Sequence, residues 1–317
     1  MSDSCCSLLV YGQDEEREYG LQDYSGATPR WCPGCGDHAI LTSVQRLLEA
    51  EQLPPERTVF VSGIGCSSRF PHYLKTYGFH GIHGRALPVA TGIKLHRPEL
   101  TVFVVMGDGD CTSIGAGHWI HATRYNVNMT VLMLDNEIYG LTKKQTSPTT
   151  PQGFKSNTQP RGSYLPPLNP IEATLGVTNA SFVAQTADWV PAHMYETILA
   201  AYRHPGFAFV RILQRCPQYT SELFEAAVRD PSKVTLLEHE RGVVVDDIHG
   251  LYRNVLRHDP GDLDAARRLA EDMHEVRLGI FYRNESHPRY EETRHVPPHG
   301  VTDRLRLLNQ QFDKYAV

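Results

Sequence analysis

The chain has 317 residues, of which 41% are hydrophobic and 21% charged, and its formal net charge is −5. This composition is typical of a globular protein, and the acidic balance gives no reason to expect nucleic acid binding. No apolar run approaches the roughly 18 residues that span a bilayer, and no basic segment precedes a long apolar stretch at the N-terminus. We therefore expect no membrane association, no signal peptide and a cytoplasmic protein.

The cysteine count is informative because it is odd. An odd number of cysteines in a chain without an export signal argues against a disulfide framework. Metal binding or redox chemistry is the better interpretation for those that cluster. The seven cysteines are Cys5, Cys6, Cys32, Cys35, Cys66, Cys111 and Cys216.

In chain order, residues 1–30 are polar and irregular, which predicts an N-terminal arm that is loose or contacts a partner. Cys32-Pro-Gly-Cys35 is a tight loop that turns two thiols toward one point, and Asp37 can cap the helix that follows. An apolar strand over 58–62 leads into a loop of small residues that contains Cys66.

The elements downstream alternate in type. Strands are predicted over 101–106, 129–134, 181–184 and 206–213, helices over 114–125 and 192–202, and a long proline-rich loop over 144–170. This alternation predicts an α/β fold with a doubly wound, mostly parallel sheet. After residue 222 the chain is charged, with a helix over 263–274. The predicted divisions are therefore an arm (1–30), a binding domain (31–222) and a C-terminal charged helical tail with partner contacts (223–317).

Two polar residues follow neighbouring predicted strands. Asp108 lies in a Gly-Asp-Gly turn after one strand, and Asn136 follows the next strand. The carboxyl ends of parallel strands meet at one edge of a sheet, where α/β proteins bind ligands. Gly107 and Gly109 let the backbone approach phosphate oxygens, and carboxylate and amide oxygens suit Mg²⁺. A plain turn and a loop asparagine are the alternative interpretation.

The spacing of this Gly-Asp-Gly turn and Asn136 resembles the thiamine diphosphate motif. The segments Gly107-Asp-Gly-Asp110, His118-x-x-His121, Asn136-x-x-Tyr139-Gly-Leu-Thr-Lys143 and Gln145-x-Ser147-Pro-Thr149 resemble the β subunit of 2-oxoacid:ferredoxin oxidoreductases, especially the 2-oxoglutarate type. The resemblance covers roughly residues 29–220, and the segments Leu278-Gly-Ile-Phe-Tyr282 and Tyr290-Glu-Glu292 also resemble the family. Lys144 departs from it, because a glycine is expected at that position. His118 and His121 lie three residues apart on a helix, and we expect packing or hydrogen bonding for them in place of metal binding.

The resemblance implies a site of thiamine diphosphate and Mg²⁺. It implies that Asp108, Asn136 and the backbone carbonyl of Ile138 hold Mg²⁺. Taken without the resemblance, His83 would be an ordinary loop histidine. The implied contacts to the cofactor are Ile64, Gly65, Cys66, Ser67, His83, Gly109, Asp110, Gly140 and Leu141.

Four cysteines in loops rich in glycine or proline suit either a [4Fe–4S] cluster or a tetrahedral zinc ion. Their spacing alone does not choose, although the lack of a second Cys-x-x-Cys favours iron and sulfur. The resemblance implies that Cys32, Cys35, Cys66 and Cys216 bind a [4Fe–4S] cluster. We expect Cys111 to be a small packed residue, and we assign no role to Cys5 and Cys6.

The resemblance also implies a reaction and partners. A 2-oxoacid, with 2-oxoglutarate preferred, and coenzyme A would give acyl-CoA (succinyl-CoA) and CO₂, with electrons passing through the cluster to ferredoxin in a reversible process. In this family a separate α subunit holds the pyrimidine half of thiamine, which implies an α₂β₂ heterotetramer. Lys143 and Arg69 are the candidate cations for a second substrate carboxylate; alternatively, they solvate loops or meet the diphosphate.

Three alternatives remain at this point. The same reaction can act on pyruvate or on a broad range of 2-oxoacids. A non-redox thiamine diphosphate decarboxylase would need no cluster. A zinc-stapled scaffold subunit without catalysis is a third possibility, but the presence of both Asp108 and Asn136 speaks against it.

Overall fold

The structure is a computed structural model that describes residues 17–240, 242–243, 245, 248–272, 275–293 and 301–315. Cys5, Cys6 and the first sixteen residues of the predicted arm lie outside these ranges. The helices are α1 (Leu21–Tyr24), α2 (Asp37–Ala50), α3 (Ala86–His96), α4 (Ala116–Tyr125), α5 (Pro170–Leu175), α6 (Pro191–Tyr202), α7 (Glu225–Arg229), α8 (Leu263–Glu271), α9 (Tyr290–Thr293) and α10 (Val301–Asp313). The strands are β1 (Thr58–Ser62), β2 (Tyr77–His80), β3 (Thr101–Gly107), β4 (Met129–Asp135), β5 (Phe182–Ala187), β6 (Phe207–Leu213), β7 (Val234–Glu238), β8 (Asn254–Arg257) and β9 (Val276–Arg283).

Within the described ranges, the strands form one sheet in the order β2-β1-β3-β4-β6-β5-β9-β7-β8. All neighbouring pairs are parallel except β5 and β9, which are antiparallel. The predicted mostly parallel α/β sheet is confirmed. Gly107 of β3 pairs with Leu134 of β4, so the residues after both strands emerge at the same edge.

Apolar side chains fill both faces of the sheet. On one face, Ile40 and Leu47 of α2 belong to the same buried cluster as Phe103 of β3. On the other face, Leu87 of α3 and Trp119 of α4 share a cluster with the opposite side of the same strands. Strands covered on both faces consist almost entirely of apolar residues, which explains why β3, β4 and β6 are recognisable in the sequence.

The expectation of a loose arm is wrong for residues 17–30. Tyr24 is fully buried, and its hydroxyl donates a hydrogen bond to the carbonyl of Leu53 at 3.0 Å. The amide of Gly26 donates to the carbonyl of Tyr73 at 2.9 Å. One buried aromatic ring and these hydrogen bonds hold this polar segment on the body of the protein.

After residue 222 the helix predicted over 263–274 is present as α8 (Leu263–Glu271), but a C-terminal charged helical tail is not confirmed. This part of the chain contributes β7, β8 and β9 to the sheet, and β9 lies directly against β5, with Val183 opposite Tyr282. Leu278 and Ile280 of β9 are fully buried. Helix α8 buries Ala266 and Ala270 and exposes its charged residues. The charges in this part of the sequence therefore mark an exposed face of the helix. None of the described helices is both long enough and apolar enough to cross a bilayer.

Candidate active site

The loops that follow β1, β3 and β4 enclose a cavity of about 190 Å³ at the carboxyl edge of the sheet. All twelve residues expected to contact the cofactor line this cavity. They are Ile64, Gly65, Cys66, Ser67, His83, Asp108, Gly109, Asp110, Asn136, Ile138, Gly140 and Leu141. These residues come from four separate stretches of sequence, and the parallel register of the strands brings them together.

Asp108 is the charged group at the base of the cavity. It is 2% exposed, and one of its oxygens accepts a hydrogen bond from the hydroxyl of Thr149 at 2.7 Å. The same hydroxyl lies 3.0 Å from Oδ1 of Asp135. Burial, and then the neighbouring Asp135 carboxylate, raise the pKa of Asp108 to about 7. The ionised form of Asp108 therefore lacks compensation within the protein.

Further charged side chains lie behind Asp108. Asp135 accepts a hydrogen bond from Nε of the buried Arg211 at 2.7 Å, and Glu137 lies 3.6 Å from the same guanidinium. Burial and Asp135 raise the pKa of Glu137 to about 8. Two of these three largely buried carboxyl groups, Asp108 and Glu137, therefore have raised pKa values, and Arg211 is paired with Asp135 and Glu137. A divalent cation beside Asp108 would stabilise its ionised form, since a buried charge is stable only when it is paired.

Asn136 and Ile138 provide oxygen atoms of the type that Mg²⁺ prefers. Both residues are buried and line the cavity together with Asp108. A turn through Glu137, which has a φ of 58°, separates them, and the amide of Ile138 donates to the side-chain oxygen of Asn136 at 3.2 Å. The chain therefore offers a carboxyl group, a carboxamide and a backbone carbonyl at one cavity wall, and these oxygen donors fit Mg²⁺.

Two glycines shape the wall of the cavity in different ways. A Cβ atom on Gly109 would lie 2.2 Å from the ring of Tyr139, and the hydroxyl of Tyr139 donates to the carbonyl of Gly109 at 3.1 Å. Gly65 has a φ of +141°, and no atom lies within 4 Å of the position of its missing Cβ. The backbone is thus close-packed at Gly109 and open at Gly65, an arrangement that fits a diphosphate lying along the loops.

Asp110 joins three loops around the upper cavity. Its Oδ1 accepts hydrogen bonds from Nδ1 of His83 at 2.6 Å, the amide of Gly84 at 2.7 Å and the amide of Ile64 at 3.2 Å. Burial raises the pKa of Asp110, and these donors oppose the rise. Oδ2 is buried without a partner. Asp110 therefore orients His83, and the π-helical turn Asp110–Ile114 begins at this anchor.

Three loops bring the cysteines toward one region beside the cavity. The indole of Trp31 donates to the carbonyl of Cys66 at 2.7 Å, and the amide of Gly36 donates to the carbonyl of Arg215 at 3.1 Å. The first bond joins the Cys32-x-x-Cys35 loop to Cys66, and the second joins it to the segment that contains Cys216.

The thiols are not arranged as a finished metal centre. Cys32 is exposed and Cys216 is buried, and the described residues include no group of three or more Cys, His, Asp or Glu side chains positioned to hold a metal. Burial, followed by the charges of Asp37 and the other cysteines, raises the pKa of the Cys66 thiol to about 12. Burial also raises the pKa of Cys35. The donor set suits a cluster, but the thiols must deprotonate and close around it.

The two predicted substrate cations are placed differently. Arg69 lies in a groove that shares Ile64, Gly65 and Leu141 with the cavity. Lys143 is exposed and lines neither space, and it has a φ of 70°. Lys144 also has a positive φ, 66°, which explains why a glycine was expected there. His118 and His121 do not line the cavity, and Cys111 is fully buried.

Sequence reasoning missed the groups behind the cavity. Thr149 was noted only as part of a motif, and Asp135 and Arg211 were not singled out. A signal was present in both strands: Asp135 ends the apolar run of β4, and Arg211 interrupts the apolar run Phe207–Leu213. A charge within a strand that is buried on both faces requires a partner.

Comparison with known proteins agrees with this geometry. The family model for the C-terminal TPP-binding domain of thiamine pyrophosphate enzymes matches residues 63–212, and the model for the C-terminal part of the pyruvate ferredoxin oxidoreductase beta subunit matches residues 248–296. The 2-oxoglutarate oxidoreductase subunit KorB of Mycobacterium tuberculosis is 40% identical over 331 aligned residues, which cover 93% of this chain and 88% of the relative. The chain belongs to the β-subunit family of the 2-oxoacid:ferredoxin oxidoreductases.

Two further relatives support this family assignment. Subunit beta of the 2-oxoacid:ferredoxin oxidoreductase 2 of Aeropyrum pernix is 37% identical, with 83% of this chain and 82% of the relative covered. The solved structure of 2-oxoglutarate:ferredoxin oxidoreductase from Magnetococcus marinus, with 2-oxoglutarate, coenzyme A and succinyl-CoA bound, matches with a TM-score of 0.77 and 34% identity. That match covers 93% of this chain and 97% of the solved chain. The similarity to this family therefore extends over the strands after residue 222 as well as over the residues of the cavity.

Proposed function

We propose that this β subunit takes part in the oxidation of 2-oxoglutarate and coenzyme A to succinyl-CoA and CO₂, with two electrons passing through a [4Fe–4S] cluster to ferredoxin. The observation that carries the proposal is the cavity, which all twelve expected residues line, the expected cluster ligand Cys66 among them. The names of two relatives, from Mycobacterium tuberculosis and Magnetococcus marinus, specify 2-oxoglutarate, which supports this substrate over pyruvate.

The residues of the chain have distinct roles in this proposal. Asp108, Asn136 and the carbonyl of Ile138 hold Mg²⁺, and the loops at Gly65 and Gly109 receive the diphosphate. Thiamine diphosphate, when bound, supplies the electron sink that decarboxylation of a 2-oxoacid requires. Thr149 and Asp135 keep Asp108 in position, and Asp110 fixes the ring of His83 at the cavity wall. Enclosure by these loops limits access of water to the reacting groups.

Cys66 belongs to both parts of the proposed site. It lines the cavity, and the nearby Cys216 and Cys32 contribute to the rise in its pKa, so it would lie between the cofactor and the other thiols. Cys32, Cys35, Cys66 and Cys216 would hold the [4Fe–4S] cluster, whose chemistry is one-electron transfer. A shared residue gives the short separation between cofactor and cluster that electron transfer requires.

The α subunit and ferredoxin are the proposed partners. The residues that line the cavity include Asp108 and Asp110 but no glutamate, so the carboxylate that activates the pyrimidine ring of thiamine would come from the α subunit. We propose an α₂β₂ assembly in which the long loop over 144–170 contacts the α subunit. Coenzyme A and the 2-oxoacid enter the completed site.

The test is to purify the α and β subunits together without oxygen and to measure iron, sulfide and zinc together with the products. We expect four irons and four sulfides per β subunit, and succinyl-CoA formation from 2-oxoglutarate that depends on ferredoxin. Zinc in place of iron, or an aldehyde product without electron transfer, would overturn the proposal. The β subunit alone should give no turnover.

A further inference from the structure

Gln214 has a buried amide side chain between the strand ends that support the diphosphate cavity and the cysteine region. It directly follows β6 and is 1% exposed. Its backbone N–H donates to the carbonyl of Asp135, the last residue of β4, at 2.9 Å. Cys216 comes two residues later in the chain. The backbone of Gln214 is therefore fixed at the ends of two buried strands, and its side chain reaches toward the loop that contains Cys35.

The side-chain amide of Gln214 donates two hydrogen bonds. One goes to Sγ of Cys35 at 3.3 Å, and the other goes to the backbone carbonyl of Arg215 at 2.6 Å. Because a backbone carbonyl can only accept, the amide nitrogen is the atom that faces both partners. The cysteine loop also packs closely on this side chain, since a Cβ atom on Gly36 would lie 3.0 Å from Cγ of Gln214. Packing and a second hydrogen bond thus hold the N–H group against the sulfur.

A second side chain contacts the same sulfur in the opposite sense. The thiol of Cys35 donates to Oδ2 of Asp37 at 3.5 Å. A cysteine that binds iron has lost its proton, so the sulfur of a cluster-bound Cys35 has nothing to donate. The amide of Gln214 still donates to it, because the N–H protons of an amide do not depend on the state of the thiol. Among the hydrogen bonds of the described residues, this one is the only side-chain donation to a cysteine sulfur.

We propose that Gln214 raises the reduction potential of the [4Fe–4S] cluster by donating this hydrogen bond to Cys35. The inference rests on the proposed function, because it concerns the cluster that the four cysteines would hold. Reduction adds one electron to the cluster and makes its cysteine sulfurs more negative. A hydrogen bond is stronger when its acceptor carries more negative charge, so the amide stabilises the reduced state more than the oxidised state. Gln214 acts through Cys35 and does not touch the substrate.

This hydrogen bond has opposite effects on the two electron transfers of the proposed reaction. The cluster accepts one electron at a time from the 2-oxoacid undergoing oxidation, and it then passes that electron to ferredoxin. A higher potential favours the acceptance of the electron by the cluster and disfavours its donation to ferredoxin. Loss of the hydrogen bond should therefore slow the first transfer and speed the second, whereas a general loss of structure would slow both.

The experiment is a redox titration of the anaerobic α and β complex without 2-oxoacid, followed by electron paramagnetic resonance of the reduced cluster. Gln214→Met removes the N–H donors and retains the length of the side chain. We expect the one-electron reduction equilibrium to shift about tenfold toward the oxidised cluster, which corresponds to a potential lower by about 59 mV. Iron and sulfide content should equal that of the wild type, because Gln214 is not a ligand.

Gln218→Met is the matched control, because Gln218 is an exposed glutamine in the same segment, two residues after Cys216. Its substitution should leave the potential unchanged. Equal potentials in Gln214→Met and the wild type, or an equal fall in both variants, would overturn the role of Gln214 and leave the proposed function intact. A wild-type complex without iron and sulfide would instead refute the proposed function.

A measurement on the wild type decides the matter if Gln214→Met does not assemble with its cluster. The complex is prepared with nitrogen-15 in the glutamine side chains, and its cluster is reduced with dithionite. Pulsed electron paramagnetic resonance should then detect magnetic coupling between the reduced cluster and one side-chain nitrogen. A reduced cluster without such coupling would show that no glutamine amide donates to its sulfurs, and would overturn the proposal.

Discussion

The diphosphate cavity and the cysteine region share Cys66, yet they are built differently. At the cavity, hydrogen bonds from the protein hold the acidic groups: Thr149 donates to Asp108, and Arg211 donates to Asp135. In the cysteine region, three loops meet, but the thiols form no ligand set within the described residues. Packing forms the first site without its cation, whereas the second site depends on its ligand to bring the thiols together. A hard-cation site can form without its cation because its oxygen atoms accept hydrogen bonds from the protein, whereas the thiols must lose their protons when they bind a cluster.

The strongest test of the preformed site is Asp108→Asn. This change removes the one charged ligand of the proposed metal site and retains the size of the side chain. We expect the affinity for Mn²⁺, used in place of Mg²⁺, and for thiamine diphosphate to fall by at least about a hundredfold. Electron paramagnetic resonance and calorimetry on the assembled complex measure both affinities.

The control for this change is Asp230→Asn, in an exposed turn far along the chain. Iron content should be the same in Asp108→Asn as in the wild type, because the cysteines do not depend on Asp108. Unchanged Mn²⁺ affinity in Asp108→Asn would show that the cation site lies elsewhere.

Cys66→Ser is the converse test, because it should affect the cysteine region and leave binding in the diphosphate cavity nearly unchanged. It removes a thiolate that the cluster requires, so iron and sulfide should be lost in proportion. Thiamine diphosphate and Mn²⁺ should still bind with affinity within about threefold of the wild type, since Asp108 and Asn136 remain. Metal analysis and calorimetry give the two values.

Cys111→Ser is the matched control, because Cys111 is a buried cysteine next to the cavity turn with no proposed ligand role. Full iron content in Cys66→Ser would refute the assignment of Cys66 as a cluster ligand.

A smaller effect is expected from Thr149→Val. The substitution preserves shape but removes the hydroxyl between Asp108 and Asp135, so two carboxylates face each other without a donor. We expect Mn²⁺ affinity to fall about tenfold and the free energy of unfolding to fall by about 1–3 kcal/mol. Chemical denaturation and metal titration measure these quantities. Thr42→Val, on the exposed face of α2, is the control. Equal effects in both variants would show that the hydroxyl of Thr149 has no specific role at the metal site.

A further prediction is a pH dependence. Because the pKa of Asp108 is raised from 3.8 to about 7, the stability of the metal-free protein should be greatest at low pH, as far as this group is concerned, and should decline as pH rises through about 7. Metal binding requires the ionised form, so Mn²⁺ affinity should increase as pH rises through about 7, with release of a proton. Calorimetry in buffers of different ionisation enthalpy detects that proton. Asp108→Asn should abolish the pH dependence that Asp108 contributes, and an unchanged proton release would contradict the assignment.

The sequence predicts the cavity well because its determinants are local. Apolar runs identify β3 and β4, their parallel pairing follows from the helix between them, and the polar residues after each strand must then meet at one edge. Lys143 lines neither the cavity nor the groove beside it, and its role stays a prediction. Its proposed role is tested by Lys143→Ala, which should slow oxidation more than it lowers stability.

Other parts of the fold could not be read from the sequence. Strand β2 has four residues, all exposed, and its pairing with β1 depends on register that no local pattern indicates. Strand β9 looks isolated in a charged segment, and its place beside β5 requires a contact across about a hundred residues of chain. The spacing of the cysteines in the sequence does not predict how their thiols come together either. The thiols lie on three loops, and the approach of these loops depends on Trp31, Gly36 and the ligand itself.

The most direct test of the central claim is electron paramagnetic resonance of the anaerobic α and β complex after addition of 2-oxoglutarate. We predict the signal of a reduced [4Fe–4S] cluster in the wild type, and no such signal in either Asp108→Asn, which lacks the cofactor, or Cys66→Ser, which lacks the cluster. Release of CO₂ from 2-oxoglutarate while the cluster remains oxidised would contradict the claim that the two sites work as one.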